Sequence, residues 1–453
     1  MTEAGALLTL GLPLIGSNLA QFSIGLTDTL MLGWYDVTAL AASTLANSLY
    51  FVFFILGSGF GWAVTPIVAA AVAAGEEAQV RRVTRMGLWL AAIFGLGVTL
   101  LLMRSERFFL MIGQDAAVAA LAQDYLRIAA WAMIPALMTT VLRALLSALE
   151  LPGMILWATI GAAVLNAVLN YILIFGTWGA PEMGITGAAI ATLASTLLAF
   201  LLLLAYVVVR RPDYGLLRRI WRPDVPAMVR VVRLGLPIGL TGLAESGLFS
   251  MSAVMVGWIG TVELAAHGIV LNLVSATFML HLGLSQAATV RAGQAVGRRD
   301  MGGLRLSGAV ATGLSVAVSA VTVAVFLVMP VTLISLFIDA GDPARDRLLA
   351  IGVTLLAIAA LFNLMDGAQV IALGLLRGVQ DTAVPMMLAA VSYWGVGIPV
   401  SYVLGVALGL GPAAVWLGLV VGLALAASLL MWRFWARVGR SLPGAEGQGR
   451  WRN

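Results

Sequence analysis

The stretch LGLPLIGSNLA at residues 10–20 returns as LGLPIGLTGLA at residues 234–244. At the same offset the identities continue without a gap: Met31, Gly33 and Trp34 meet Met255, Gly257 and Trp258, and Gly59, Ala63 and Thr65 meet Gly283, Ala287 and Thr289. Identities that keep one spacing over so long a run indicate a duplicated segment. The sequence therefore predicts a fold built from two copies of one unit.

Composition places both copies in a membrane. Hydrophobic residues make up 61% of the 453 residues, charged residues make up 10%, and the mean hydropathy is +1.01. Soluble domains have about a quarter charged residues, so this apolar excess is typical of a membrane protein with many spans. The net charge of +5 comes from arginines in short loops, which favours membrane orientation over nucleic-acid binding. No cysteine is present, which excludes disulfides and cysteine-bound metals.

Charge runs and Gly/Pro turns divide the chain into twelve apolar segments of about the length that a membrane span requires. The predicted segments are 7–34, 44–74, 85–103, 124–148, 153–176, 185–209, 229–258, 266–297, 306–335, 349–376, 383–408 and 412–434. Only helices satisfy their own backbone in lipid at this length, so we predict an all-α polytopic fold. The first segment lacks the basic flank of a secretory signal and is expected to be retained.

Arginine distribution orients these spans. Arginine clusters fall between segments 2 and 3, 6 and 7, 8 and 9, and after segment 12, which is one side of the membrane. The positive-inside rule puts that side, with both termini, in the cytoplasm. Six spans separate the copies, which predicts a parallel repeat of two six-helix bundles facing across a cleft. The predicted division is 1–209 and 231–440 for the bundles, 210–230 for a cytoplasmic linker and 441–453 for a cytoplasmic tail.

Three carboxylates stand deep inside apolar segments: Asp28, Glu245 and Asp366. A charge near the bilayer centre costs at least about 2.5–3.5 kcal/mol, so such residues usually mark an ion, proton or substrate pathway. The alternative is a buried pair with arginine. We expect Arg143, Arg291 and Arg377 near the cytoplasmic ends of their segments, which weighs against such a pair.

Other polar side chains share helix faces with the carboxylates, at spacings of three, four and seven residues. In the N-terminal bundle they are Ser17 and Gln21 with Asp28, and Thr159, Asn166, Asn170 and Thr192 on two further segments. In the C-terminal bundle they are Thr241 with Glu245, and Asn363 and Gln369 with Asp366. We expect one polar chamber in each bundle. A carboxylate in an apolar surrounding favours neutralisation, either by H⁺ or by Na⁺ held among oxygen ligands.

The duplication is not kept at the charged positions. Gln21 stands opposite Glu245, and Asp28 stands opposite Ser252. At a second, weaker offset Ala136 stands opposite Asp366. The two bundles are therefore expected to do different jobs.

Several other classes of protein are poorly supported. The chain has no lysine and no G-x-x-x-x-G-K-[ST] loop, so direct ATP drive is not expected. The run AAGEEAQVRRVTR does not fit a major-facilitator transporter, and no Ser/His/Asp set or H-E-x-x-H motif indicates an intramembrane enzyme. His267 and His281 could relay protons, although a lone membrane histidine is more often a hydrogen-bonded packing residue.

Four stretches together resemble the multidrug and toxic compound extrusion (MATE) family, most closely its NorM-like branch. They are GLTDTLMLG around Asp28, LNAVLNYILIFG around Asn166, LGLPIGLTGLAESGLFS around Glu245 and LFNLMDGAQVIALGLLRGVQD around Asp366. The resemblance covers nearly the whole chain. It implies a MATE-type fold and export of cationic, drug-like organic compounds in exchange for Na⁺ or H⁺.

The resemblance also implies roles for individual residues. Asp28 would lie in the N-terminal chamber with Asn166, Asn170 and Thr192 as polar neighbours, and Glu245 and Asp366 would form the cation site, a candidate Na⁺ site. NorM-like members often have a tyrosine four residues before the segment-10 aspartate. Phe362 stands there and has no hydroxyl, which leaves Na⁺ and H⁺ open as the coupling ion.

The resemblance and the composition set the remaining expectations. We expect a monomer in the bacterial inner membrane, surrounded by lipid, with no nucleic-acid partner, no enzymatic activity and no cofactor besides the transported ion. A flippase for lipids or lipid-linked precursors on a related fold is the alternative. Such a flippase should have cationic residues deep in its cleft, whereas the residues here are anionic, which favours cationic cargo.

Overall fold

The computed structural model describes residues 2–216, 218, 221–339, 341 and 343–438. Within these residues all regular structure is helical, and twelve helices are long and apolar enough to cross a membrane. They are α1 (Glu3–Tyr35), α2 (Val37–Ala73), α3 (Glu77–Leu102), α4 (Ala116–Ala148), α5 (Pro152–Phe175), α6 (Gly184–Arg210), α7 (Val225–Ile259), α8 (Thr261–Arg298), α9 (Met301–Val328), α10 (Arg345–Gly378), α11 (Ala383–Ala407) and α12 (Pro412–Val438). The predicted tail at 441–453 lies outside the described residues.

The prediction of an all-α fold with twelve spans is confirmed, and each predicted segment overlaps one helix. Two boundaries differ for clear reasons. α3 begins at Glu77 and not at residue 85, because its arginine-rich first turns continue the helix beyond the apolar run. The ninth segment, predicted to reach residue 335, ends at Val328, because proline cannot continue a helix and Pro330 begins a separate short helix, Pro330–Ser335.

Two of the twelve helices are irregular. A 3₁₀ turn at Ala130–Ala132 interrupts α4 just before Pro135. α11 contains two π-helical turns, Val391–Gly397 and Tyr402–Ala407, on either side of Pro399. π turns are rare and often occur at functional sites, because the extra residue re-aims the side chains around it.

The helices form two compact units. The N-terminal unit comprises residues 16–239, and the C-terminal unit comprises residues 1–15 together with 240–453. This division differs from the predicted boundaries, because the first part of α1 belongs to the C-terminal unit and the first part of α7 belongs to the N-terminal unit. Both exchanges follow a proline inside the helix, Pro13 in α1 and Pro237 in α7, where the helical hydrogen bonding is interrupted.

Close backbone approach holds the first part of α7 within the N-terminal unit. A Cβ at Gly239 would lie 2.5 Å from the carbonyl oxygen of Leu56, and a Cβ at Gly235 would lie 2.9 Å from that of Gly59. Just before α7, Asp224 accepts a hydrogen bond from Arg82, which holds the pKa of the Asp224 carboxyl below its usual range. Small residues thus let α2 and α7 pack backbone to backbone.

An ion pair holds the first turn of α1 within the C-terminal unit. Glu3 accepts hydrogen bonds from Arg291 Nε at 2.9 Å and Nη2 at 2.6 Å, and from the Ser307 hydroxyl at 2.6 Å. Further along α1, a Cβ at Gly283 would lie 2.7 Å from the backbone nitrogen of Ile15. Both ends of this α1 segment are therefore fastened to α8 and α9.

Gly239→Ala should destabilise the protein, although alanine is the better helix former. The gain in helix propensity is about 1 kcal/mol, whereas overpacking a tight contact costs about 1–3 kcal/mol, and here the clash is with backbone. The matched control is Gly97→Ala in α3, where a Cβ meets no atom within 4 Å. We expect a lower melting temperature in detergent for the first variant and an equal or higher one for the second. The same shift in both would contradict the packing argument.

Candidate ion-coupling sites

The N-terminal unit holds one carboxylate in a polar cluster made by three helices. Asp28 on α1 is 8% exposed and accepts hydrogen bonds from Asn170 Nδ2 at 2.5 Å and from the Thr192 hydroxyl at 3.3 Å. Asn170 also donates to Asn166 Oδ1 at 3.2 Å. The structure thus brings together four of the predicted residues, from α1, α5 and α6, around one carboxyl group.

The remaining polar residues of this face are arranged differently. Ser17 is buried and lies 3.0 Å from the Thr159 hydroxyl, so it joins α1 to α5 apart from the Asp28 cluster. Gln21 is exposed, which separates it from the buried cluster although it shares the helix face. Tyr125 on α4, which the sequence did not single out, is buried, donates to Asn47 Oδ1 at 3.2 Å and lies within electrostatic range of Asp28.

The C-terminal unit holds two carboxylates that interact with each other. Asp366 on α10 is fully buried, and Glu245 on α7 is half-buried and lies within its electrostatic range. Gln369 Nε2 donates to Glu245 Oε1 at 3.1 Å. A carboxylate can only accept here, so the amide group of Gln369 is oriented with its NH₂ toward Glu245.

Several oxygen atoms of this second cluster have no hydrogen-bond partner. They are both carboxylate oxygens of Asp366 and the carbonyl oxygen of Gln369, and all three are buried. Buried polar atoms are nearly always paired, so a group of orphaned acceptors needs an explanation. Acceptors without donors are what a site for H⁺ or a hard cation requires.

Asn363 belongs to a neighbouring network and not to the Asp366 cluster. Its Nδ2 donates to the Thr277 hydroxyl at 2.8 Å, and its Oδ1 faces His281 Nε2 at 3.4 Å. The other ring nitrogen of His281 lies 3.0 Å from the Ser315 hydroxyl. Spacing alone predicted Asn363 beside Asp366, but a step of three residues rotates the side chain toward α8 and α9. Thr241 is buried on α7, one turn before Glu245.

Phe362 is part of an aromatic cluster. Its ring centroid lies 5.4 Å from that of Trp416 and 5.9 Å from that of Phe249. Trp416 Nε1 donates to His267 Nδ1 at 3.0 Å, and because indole can only donate, Nδ1 of His267 must be unprotonated. In this arrangement His267 is a packing residue whose proton stays on Nε2, and it does not act as a relay.

The expectation that no arginine reaches the carboxylates is wrong for Arg377. Its guanidinium lies within electrostatic range of Glu245 and of Tyr393. Helical side chains lean toward the N-terminal end of the helix, and arginine is long enough to span several turns from a position near the end of α10. Two carboxylates and one guanidinium leave this cluster one net negative charge.

A family model places the chain among known proteins. The MatE model matches residues 13–172 and 237–403, which include all three buried carboxylates. The chain belongs to the MATE family. A probable multidrug resistance protein NorM from Rhizobium meliloti (strain 1021) is 46% identical over 97% of this chain and 94% of the relative. One from Agrobacterium fabrum (strain C58) is 42% identical over 97% and 95%, and one from Synechocystis sp. is 36% identical over 95% and 94%.

Solved MATE structures share the fold. A MATE transporter in complex with MaL6 has a TM-score of 0.89 at 20% identity, covering 97% of each chain. An outward-facing multidrug resistance MATE transporter of the MOP superfamily has a TM-score of 0.88. So does a MOP superfamily transporter from Pyrococcus furiosus, described as having a binding pocket of reversed polarity. The predicted NorM-like membership, the MATE-type fold and the absence of an enzymatic function are confirmed, since these MATE relatives are transporters.

Proposed function

We propose that this MATE protein is an antiporter that exports cationic, drug-like organic compounds in exchange for Na⁺ or H⁺. The single observation that carries the proposal is the Asp366 carboxylate, fully buried in a membrane helix with both oxygens unpartnered. An ionised carboxylate without compensation in such a place is costly, so it gains free energy from a proton or a cation. The multidrug resistance names of the relatives support drug-like cargo.

Charge supports cationic cargo over the flippase alternative. The N-terminal unit offers Asp28, and the C-terminal unit offers a cluster with one net negative charge from Glu245, Asp366 and Arg377. An anionic lipid pyrophosphate would be repelled by both. Organic cations would be attracted to either, so electrostatics selects for positively charged compounds.

Exchange follows from neutralising these carboxylates. A drug cation is held while the carboxylates are ionised and free of coupling ion. Uptake of H⁺ or Na⁺ from outside removes the attraction and favours the state that releases the drug outward. A ligand shifts a conformational equilibrium only by its difference in affinity for the two states, and the buried carboxylates supply that difference.

The setting of this exchange is part of the proposal. We propose the bacterial inner membrane, with both termini and the linker region after α6 in the cytoplasm, because the arginine clusters lie on that side. The protein acts as a monomer among membrane lipids, with no cofactor besides the transported ion and no nucleic-acid partner.

Separate ion gradients test the coupling. Purified protein in proteoliposomes is given a fluorescent organic cation and either a Na⁺ gradient or a pH gradient, with the other held at zero. We expect transport under at least one gradient and little transport of an anionic dye of similar size. Drug movement that ignores both gradients would overturn the antiport proposal. Movement of a lipid-linked pyrophosphate analogue instead would favour the flippase.

A further inference from the structure

Tyr393 is a buried polar residue that the proposed exchange does not use. Its side chain on α11 is fully buried, and its hydroxyl has no hydrogen-bond partner. Leaving a buried hydroxyl unpaired is unfavourable, and native structures contain few such groups. A persistent unpaired hydroxyl therefore points to a ligand that the surrounding protein atoms do not replace.

The Tyr393 hydroxyl shares its surroundings with the orphaned oxygens of the C-terminal unit. It lies within electrostatic range of Glu245 and Asp366, yet it is hydrogen-bonded to neither. The unpartnered oxygens of Asp366 and Gln369 belong to the same cluster. Oxygen atoms from α10 and α11 thus surround the carboxylates without satisfying one another, as the ligands of an ion would.

The backbone of α11 fixes the position of this hydroxyl. Tyr393 lies in the π turn Val391–Gly397, and its neighbour Trp394 donates its indole N–H to the carbonyl oxygen of Ala244 at 3.0 Å. Ala244 immediately precedes Glu245. A Cβ at Gly247 would lie 2.6 Å from the Trp394 ring, so the glycine makes room for this contact. The Trp394 bond ties α11 to α7 at the level of the carboxylates.

We propose that the Tyr393 hydroxyl is an oxygen ligand for Na⁺ in the C-terminal unit, acting with Glu245, Asp366 and Gln369. The inference rests on the proposed ion coupling and assigns it a cation preference. Phe362 offers no hydroxyl and packs against Trp416, so α11 supplies the neutral oxygen. A hard cation gains from every added oxygen ligand, whereas protonation of a carboxylate does not require one. Tyr393 therefore favours Na⁺ over H⁺.

Tyr393→Phe tests this role by binding and by transport. The melting temperature of purified protein is followed as NaCl replaces N-methylglucamine chloride, because a bound ion stabilises the folded state. We expect the half-maximal Na⁺ concentration to rise about tenfold, the effect of losing one good polar contact. Without Na⁺ the variant should be as stable as wild type or more so, since the change removes an unpaired hydroxyl. Efflux under a pH gradient should change less than about twofold.

The matched control is Tyr402→Phe, on the same helix with a side chain that is 47% exposed. It should leave the Na⁺ response at the wild-type value. An unchanged Na⁺ response in Tyr393→Phe would overturn the ligand role and leave the antiport proposal standing. So would a wild-type protein that couples only to H⁺. An equal loss of Na⁺-driven and H⁺-driven efflux would show a packing role and would also overturn the inference.

Discussion

Asp366→Asn is expected to abolish ion-coupled efflux while the protein stays folded. The side chain is fully buried and neither oxygen has a hydrogen-bond partner, so the substitution removes a charge and breaks no bond. Removing one partner of a buried charge pair costs about 2–5 kcal/mol, so binding of the coupling ion should weaken at least about thirtyfold. Efflux in proteoliposomes under Na⁺ or pH gradients measures the loss. The melting temperature should hold or rise, because an uncompensated membrane carboxylate costs about 2.5–3.5 kcal/mol.

Asp346→Asn is the matched control, because it makes the same change in the first turn of α10, where the side chain is exposed. It should couple like wild type. Glu245→Gln should reproduce the loss seen in Asp366→Asn, since the introduced amide oxygen can still accept from Gln369. Normal coupling in both Glu245→Gln and Asp366→Asn would remove the C-terminal cluster from the mechanism.

Asp28→Asn should be the second large effect, and it should fall on drug binding in the N-terminal unit. The introduced amide can accept from Asn170 with its oxygen and meet the Thr192 hydroxyl with its nitrogen, so the geometry is kept. What disappears is the negative charge that attracts the cation. A charge contact in a desolvated site contributes about 1.5–3 kcal/mol, so affinity for a cationic drug should fall at least about tenfold. Fluorescence titration of the purified protein measures it.

Asp36→Asn provides the comparison for this second prediction. Asp36 caps α2 by accepting from the Ala39 backbone N–H at 2.7 Å, and asparagine caps helices about as well as aspartate. Drug affinity should therefore be unchanged in Asp36→Asn. A neutral drug of similar shape should bind Asp28→Asn and wild type equally. If Asp28→Asn weakened the neutral and the cationic drug alike, the effect would be on packing and not on charge.

The helices could be predicted from the sequence because they depend on local properties. Run length, arginine position and proline position act over one helix turn or one span, and twelve helices appear where they indicate. The cluster around Asp28 was also predictable, because Asn166 and Asn170 are one turn apart and so present their side chains to one neighbour. The unit boundaries were not, because nothing in the run of α1 shows that residues 1–15 pack with α8.

The C-terminal cluster shows what helix spacing leaves out. Asn363 shares a face with Asp366 by spacing, yet it bonds Thr277 and faces His281, because the rotation of a helix in its bundle decides which neighbour a side chain meets. Arg377 and Tyr393 reach the carboxylates by side-chain length and by a π turn, and neither shows in residue periodicity. Tyr125 carried one usable signal, a polar aromatic within an apolar span.

The exchange of helix segments between the two units has a consequence for biosynthesis. A ribosome that has released α6 has not yet made residues 225–239, which complete the N-terminal unit. Conversely, residues 1–15 enter the membrane first and wait for α8 and α9, which supply Arg291 and Ser307. Neither half can finish folding before the other has begun to be translated. A chain cut between α6 and α7 would therefore yield two fragments that each lack a piece of their own unit and can mature only when made together.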